Sequence, residues 1–268
     1  MVGTEETEEW SFNVASAILS DKKAAQYVGA IGYHTYPYHQ GYSSVPFILS
    51  TSGAGRPDPG RVRIRNQIRD LARTHHLGAW LTENSNAGDP FSYDTFRARA
   101  IQIHDEFLYA DASAYFAECA IWDEVGQQKN FGTTSMRENE GNAVYVHNST
   151  GQVDIGGIGY AIGHYARWAK PGSVRVEART SDPLVQVTVF RDDAASRLTL
   201  VLINNANEPK TITVSVKGSE LAASWAGEQS RPAAYWSALP AFDPDNVSGF
   251  HVVLPATSVV SVSGKATF

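Results

Sequence analysis

Two apolar runs that each stop abruptly at polar residues constrain this fold more than any other feature of the sequence. Residues 78–84 read Gly-Ala-Trp-Leu-Thr-Glu-Asn and end at the carboxylate of Glu83. Residues 27–36 are built the same way and end in His34 and Tyr36, which alternate onto one side of an extended backbone. Each run is typical of a buried β-strand that carries polar side chains to its end.

The segment between the two runs predicts a helix. Residues 61–76 place Ile64, Ile68 and Leu71 at helical spacing. Strand, helix and strand at this length predict a βαβ unit with a right-handed crossover, so the two polar tips lie at the same end of a parallel sheet. A barrel strand delivers a catalytic group in this way. The alternative for Glu83 is a solvated glutamate at a strand end.

The rest of the first 172 residues continues the alternation of helices and strands. A strand is predicted over residues 112–122, ending in Trp122, and long loops are predicted over residues 37–59 and 84–90. Further helices are predicted over residues 12–26, 93–109 and 158–168. The α/β part therefore occupies residues 1–172.

From residue 173 onward the pattern changes to short, β-branched, alternating runs separated by turn residues. This pattern predicts an antiparallel β-sandwich over residues 173–268. Four aromatic residues are expected between its strands, where they either form a platform for a sugar or cover the core. They are Trp225, Tyr235, Trp236 and Phe242.

Composition excludes several classes of function. The net charge is −6, and the one group of basic residues, Arg61, Arg63, Arg65 and Arg69, is expected to form a solvated helix face, so nucleic-acid binding is not expected. No apolar run is long enough to cross a bilayer. The single cysteine excludes an internal disulfide, no Cys or His spacing indicates a metal site, and no cofactor is expected.

Three segments in order carry a family resemblance. They are the sequence GYHTYPY at residues 32–38, the run ending at Glu83, and the passage IGYAIGHYARWAKPGSVRV at residues 158–176. Together they resemble the second half of glycoside hydrolase family 30, whose members join a (β/α)₈ barrel to a β-sandwich. The resemblance implies α/β plus all-β architecture: barrel strands five to eight followed by the sandwich.

The resemblance also implies roles for particular residues. Glu83 matches the catalytic nucleophile, Tyr36 the tyrosine that hydrogen-bonds it, and His34 a histidine of the substrate pocket. A phenol donor would hold the carboxylate in one rotamer and favour its charged form. Trp122 could form the floor on which a sugar ring stacks, or it could be a core aromatic at the barrel end.

The second carboxyl group that a retaining glycosidase needs has no match in this sequence. Asn139-Glu140 and Asn207-Glu208 do not occupy the expected position. Glu5, Glu6, Glu8 and Glu9 are expected to be surface loop acids, and the alternative is that one of them lines the cleft. A (β/α)₈ barrel takes about 250 residues, so 172 residues correspond to half a barrel.

Two functions follow from these expectations. The first is a part of a secreted retaining O-glycosidase that acts on β-linked poly- or oligosaccharides, carries the nucleophile, lacks the acid/base and depends on a missing N-terminal barrel half. The second is a carbohydrate-binding or assembly module without catalysis. Secretion is implied by the resemblance alone, because the sequence carries no signal peptide.

Overall fold

The computed structural model describes residues 2–4, 7–35, 59–84, 89–117, 119–135 and 142–268. These residues form two compact units. The first unit takes in the described residues up to 95 and from 105 to 159, and the second takes in residues 96–104 and 160–268. The predicted domain boundary at residue 172 stays a prediction.

The helices predicted from the sequence are present, with ends that differ by a few residues, and the helix at Glu124–Phe131 was not predicted. The predicted helix over residues 12–26 is two helices, because the Asp21 side chain caps the second by accepting hydrogen bonds from the backbone N–H groups of Lys23 and Ala24. The helices are α1 (Glu8–Ser20), α2 (Lys22–Ala25), α3 (Pro59–Thr74), α4 (Tyr93–Asp105, continued by a π-helical turn at Glu106–Ala110), α5 (Glu124–Phe131) and α6 (Gly157–Ala166).

The first unit contains a parallel sheet of four strands in chain order: β1 (Val2–Gly3), β2 (Ala30–Thr35), β3 (Gly78–Asn84) and β4 (Ala114–Tyr115). One face of β2 and β3 packs on α1 and α3, as their side-chain alternation predicts. The buried residues of this core are Ala15, Leu19, Ile31, Tyr33, Ile68, Ala72, Ala79, Leu81, Ala110 and Ala112. The parallel βαβ arrangement predicted from the sequence is confirmed.

The single buried strand predicted over residues 112–122 is wrong. Ala114 and Tyr115 pair with β3, whereas β5 (Cys119–Asp123) belongs to a second sheet with β6 (Asn142–His147) and β7 (Gln152–Ile155). Ile121 in β5 is exposed, so the apolar residues of this segment are not all buried. Trp122 therefore lies outside the sheet that carries His34 and Glu83.

An ion-paired histidine fastens the second sheet to α5. His147 Nδ1 lies 3.1 Å from Glu124 Oε1, and Nε2 lies 2.9 Å from Asp154 Oδ2. The His147 ring donates hydrogen bonds to Glu124 and Asp154, and these bonds raise the pKa of His147. The backbone N–H and the hydroxyl of Ser149 donate to Glu124 and lower the pKa of its carboxyl.

The solvated arginine face expected on α3 is wrong for Arg61 and Arg65, whereas Arg63 is exposed as expected. Arg61 and Arg65 are buried on the stripe of α3 that carries Ile68. Arg65 contacts Glu106 and approaches Glu8, with 3.4 Å between Arg65 Nε and Glu8 Oε1. Glu8 is therefore a buried helical residue and not a surface loop acid. The buried charges are retained because each has an opposite charge beside it.

Burial shifts the titration of the acids in this cluster. Desolvation raises the pKa of Asp105 to about 7, the nearby charges of Arg65 and Arg61 oppose this rise, and the charge of Glu106 adds to it. Desolvation also raises the pKa of Glu106 and, well above its usual value, that of Tyr33, whose hydroxyl donates to Glu106 at 2.7 Å. The cluster thus holds one carboxyl that titrates near neutral pH.

The Asp105→Asn substitution is expected to flatten the pH dependence of stability in the first unit. The pKa of Asp105 is raised from 3.8 to about 7, so the folded state binds the proton more tightly and stability falls as pH rises from about 4 to 7. Hydrogen exchange of β2 amides should show this fall in the wild type, and a shallower fall in Asp105→Asn because Glu106 still titrates. Asp70→Asn, on the exposed side of α3, is the control. Equal slopes in wild type and Asp105→Asn would contradict the assignment.

The second unit is built on a large antiparallel sheet, as the sequence predicted. The strands are β8 (Val174–Val176), β9 (Val185–Asp192), β10 (Arg197–Asn204), β11 (Lys210–Ser215), β12 (Glu220–Leu221), β13 (Trp225–Arg231), β14 (Ala234–Phe242), β15 (Gly249–Leu254) and β16 (Val259–Thr267). In the large sheet they lie in the order β14-β13-β16-β10-β9-β8, with β12 paired to β16, and β11 and β15 form a separate antiparallel pair. Side chains of both sheets share one hydrophobic core around Trp225, Leu200 and Phe250.

The four aromatics expected between strands lie within β13 and β14 instead. Trp225 is fully buried in the core, where its ring packs against Phe242 and Phe250. Tyr235 stacks on Tyr160 at 4.0 Å, and Trp236 packs edge-on against the same tyrosine. Packing therefore accounts for these rings, in agreement with the alternative that they cover the core.

A buried histidine joins α6 to the large sheet of the second unit. His164 Nδ1 lies 2.8 Å from Ser261 Oγ, and Nε2 lies 2.8 Å from Ser230 Oγ. Because the Ser261 hydroxyl donates to the carbonyl of His164, its oxygen accepts from Nδ1–H, and Ser230 donates to Nε2. Burial and the charge of Arg167 lower the pKa of His164 to about 3, so the neutral ring persists.

Candidate active site

Two neighbouring strands bring His34 and Glu83 together at the carboxyl edge of the parallel sheet. His34 Nε2 lies 3.6 Å from Glu83 Oε2. The His34 side chain is 12% exposed and the Glu83 side chain 35% exposed, so the carboxylate can be reached while the imidazole is largely covered. At this separation the contact is electrostatic and not a hydrogen bond. The two polar strand ends predicted at one edge of a parallel sheet therefore lie side by side. Their role as site residues stays a prediction.

A β-bulge decides which way Glu83 points. Ala79 and Leu81 face the core with the helices, and unbroken alternation would send Glu83 to that same side. The register shows otherwise, because Tyr33 lies opposite Leu81 but His34 lies opposite Glu83. Thr82 is therefore the extra residue of a bulge, which turns Glu83 onto the face of His34. Bulges re-aim side chains in this way, and they are uncommon in parallel sheets.

The residues on either side of Glu83 are tied to the two flanking strands. The Thr82 hydroxyl donates to the carbonyl oxygen of Tyr33 at 3.3 Å. The Asn84 side-chain amide donates to the carbonyl oxygen of Phe116 at 3.4 Å, and Asn84 itself is buried. The backbone that carries Glu83 is thus held from both sides. Neither Thr82 nor Phe116 was identified as a site residue from the sequence.

A buried ionic cluster supports the site from the opposite face of the sheet. Tyr33, which precedes His34, donates its hydroxyl proton to Glu106, which contacts Arg65. Glu8 follows Thr7, which forms an isolated parallel bridge with His34. Arg65 is therefore linked to both neighbours of the His34 strand end. It reaches Tyr33 through Glu106, and it approaches Glu8, which follows Thr7.

Of the other two predicted site residues, the structure describes only Trp122. Tyr36 lies outside the described residues, as do residues 37–58 and 85–88 of the two predicted loops and the pair Asn139-Glu140. Trp122 lies in β5, where its indole N–H donates to Gln127 Oε1 at 2.9 Å and its ring packs against Phe131. A sugar-stacking role for Trp122 stays a prediction.

Within the described ranges, no group of three His, Cys, Asp or Glu side chains is arranged to hold a metal ion. No helix in the same part of the chain has the length and apolar character needed to cross a membrane.

Several solved structures with a similar fold are glycoside hydrolases. An endoxylanase of glycoside hydrolase family 30 from Clostridium papyrosolvens C71 matches 96% of this chain with a TM-score of 0.64 and 17% identity. A family 30 subfamily 8 xylanase from Clostridium acetobutylicum matches 96% with a TM-score of 0.64 and 20% identity. An endo-β-1,6-glucanase matches 97% with a TM-score of 0.61 and 17% identity.

The chain therefore has a glycoside hydrolase family 30-like fold, and the predicted resemblance is confirmed at the level of the fold. It spans 59% and 58% of the two clostridial xylanases and 47% of the glucanase. The sequence matches no protein-family model, and no curated protein matches it. The fold thus rests on three-dimensional similarity, and the activity has to be argued from the site.

The Thr82→Val substitution is expected to loosen the strand end that carries Glu83. Valine keeps the β-branched shape but removes the donor to the Tyr33 carbonyl, so the free energy of unfolding should fall by about 0.5–1.5 kcal/mol. Thr82→Ser keeps the hydroxyl and should lose less. Urea unfolding measures both. Thr82→Val with wild-type stability would show that this hydrogen bond does not hold the bulge.

Proposed function

We propose that this chain is the C-terminal part of a retaining O-glycoside hydrolase acting on β-linked glycans, with Glu83 as the nucleophile. The observation that carries the proposal is the bulge at Thr82, which places the Glu83 carboxylate beside His34 at the carboxyl edge of a parallel sheet. Catalytic groups of α/β barrels lie at this edge. The family 30-like fold of the whole chain supports the same reaction class.

In the proposed mechanism, the Glu83 carboxylate attacks the anomeric carbon and forms a covalent glycosyl–enzyme intermediate, which water then hydrolyses. The negative charge also stabilises the oxocarbenium-like transition state. His34 lies beside this carboxylate and would contact a sugar hydroxyl next to the reacting carbon. Tyr36, on the resemblance in sequence, would donate a hydrogen bond to Glu83 and keep it in one rotamer.

The acid/base group is proposed to come from polypeptide outside this sequence. Retaining enzymes need a second carboxyl group about 5–5.5 Å from the nucleophile, to protonate the leaving oxygen and later activate water. Among the described residues, the acid nearest in sequence to β1 is Glu8, and it is engaged with Arg65 on the helix side of the sheet. The 268 residues alone are therefore proposed to lack turnover on natural glycosides, since about 10²–10⁴-fold of general acid catalysis is missing. Secretion of the complete enzyme is proposed on the same resemblance.

A covalent label tests the nucleophile without the missing acid. A 2-deoxy-2-fluoro-β-glycoside with a dinitrophenolate leaving group needs no protonation, so the purified chain should gain one glycosyl group at Glu83. Peptide mass spectrometry locates the label. Glu83→Gln should abolish labelling because the amide is a poor nucleophile, whereas Glu177→Gln, at an exposed glutamate, should leave it unchanged.

Labelling at another residue, or undiminished labelling of Glu83→Gln, would refute the assignment. Turnover of natural β-linked oligosaccharides by the chain alone would contradict the proposal that the acid/base group lies elsewhere.

A further inference from the structure

The ionic cluster behind the parallel sheet contains more acids than bases. Its charged side chains belong to residues that are at most 9% exposed. They are Glu8, Arg61, Arg65, Asp105 and Glu106. With every group ionised, three carboxylates against two guanidinium groups would leave one net negative charge in the core. One bound proton balances that charge, and a buried cluster without it is costly.

Asp105 is the carboxyl group best suited to hold this proton. Glu106 contacts Arg65 and accepts the Tyr33 hydroxyl proton, and Glu8 Oε1 lies 3.4 Å from Arg65 Nε. Asp105 is 1% exposed, and within the described part of the chain its Oδ1 has no hydrogen-bond partner. Burial disfavours a carboxylate that no donor stabilises, so the neutral acid is the favoured form of Asp105.

Loss of this proton would disturb the adjacent carboxylate. Helix α4 changes from α- to π-helical geometry between Asp105 and Glu106, and both consecutive acids remain buried. An ionised Asp105 would repel Glu106 and compete with it for Arg65. Desolvation raises the pKa of Asp105 to about 7, so the proton is lost near neutral pH. The charged and titratable groups around Asp105 are Glu8 on α1, Tyr33 on β2, Arg61 and Arg65 on α3, and Glu106 and Tyr109 on the π-helical turn.

Tyr33 connects the cluster to the candidate active site. Its hydroxyl donates to Glu106 at 2.7 Å, and its carbonyl oxygen accepts from the Thr82 hydroxyl at 3.3 Å. Thr82 is the extra residue of the bulge that turns Glu83 toward His34. A displacement of Glu106 therefore reaches the bulge through a single residue.

We propose that Asp105, in its protonated form, is a positioning residue for Glu83 and acts on the bulge through Glu106 and Tyr33. The inference rests on the proposed function, because the reaction that it affects is the attack by Glu83. Loss of the proton draws Arg65 away from Glu106, loosens the Tyr33 hydroxyl and lets Glu83 leave the attacking orientation. The proton is bound below the pKa of Asp105, so the reactivity of Glu83 falls as the pH rises through that value.

The pH dependence of the Glu83 labelling rate tests the inference in the purified 268-residue chain. The dinitrophenolate of the 2-deoxy-2-fluoro-β-glycoside leaves without protonation, so a slower rate at high pH does not report an acid/base residue. We expect the wild-type rate to fall by at least about 3-fold between about pH 6 and about pH 8.5, after correction for hydrolysis of the reagent without protein. Asp105→Asn stays neutral and should not show this fall.

Two tyrosine variants separate positioning from stability. Tyr33→Phe removes the hydroxyl that connects Glu106 to the strand, so its labelling should be slower at acidic pH and should not fall further at high pH. Tyr165→Phe removes a buried hydroxyl that donates to the carbonyl of Ala100 at 3.1 Å in the second unit, and it should keep the wild-type pH profile. A merely structural role of Asp105 would change the fraction of folded chain and leave the pH profile of the folded chain as it is.

An equal fall in wild type and Asp105→Asn, or a wild-type rate that stays level at high pH, would overturn the inference. A chain that is not labelled at any pH refutes the proposed nucleophile, and the backbone amides of Thr82 and Glu83 then decide the inference. Their ¹H–¹⁵N signals should shift with a midpoint near pH 7 in wild type and lose this shift in Asp105→Asn. No shift in wild type, or the same shift in both proteins, would contradict the role of Asp105.

Discussion

The bulge at Thr82 is the feature on which the functional geometry depends. Without it, the alternation that buries Ala79 and Leu81 would direct Glu83 to the helix side of the sheet, where an ionised carboxylate would be desolvated. With it, the same strand keeps its apolar face in the core and presents the carboxylate beside His34. Hydrogen bonds from Thr82 and Asn84 to the neighbouring strands fix the position of the turned residue.

The buried ionic cluster behind the sheet has a related role. A fully buried arginine with two carboxylates gains little stability over apolar packing, so its value lies in fixing a conformation. Arg65 contacts Glu106, which accepts the Tyr33 hydroxyl proton, and approaches Glu8 in the first turn of α1. Tyr33 precedes His34, and Thr7 precedes Glu8 and bridges to His34, so the His34 strand end is held from two directions. Removal of one partner would leave an uncompensated charge in the core.

Much of the sheet could be predicted from the sequence, because β2 and β3 are apolar runs bounded by polar residues and joined by an amphipathic helix. The bulge could not, since an extra residue in a ladder leaves no mark on composition. The burial of Arg65 was predictable from its helical stripe, which also carries Arg61, Ile68 and Ala72. The group of arginines on this helix favoured a solvated face instead. The division of residues 112–122 between two sheets was missed because a two-residue strand has no periodicity to detect.

A crystal structure of the 268-residue chain tests the central claim most directly, because the direction of one side chain decides it. The account predicts that Thr82 is the extra residue opposite the Tyr33–His34 step and that the Glu83 carboxylate lies within about 4 Å of the His34 imidazole, the range of an ion pair. An unbroken ladder between β2 and β3, with Glu83 turned toward the helices alongside Leu81, would contradict it.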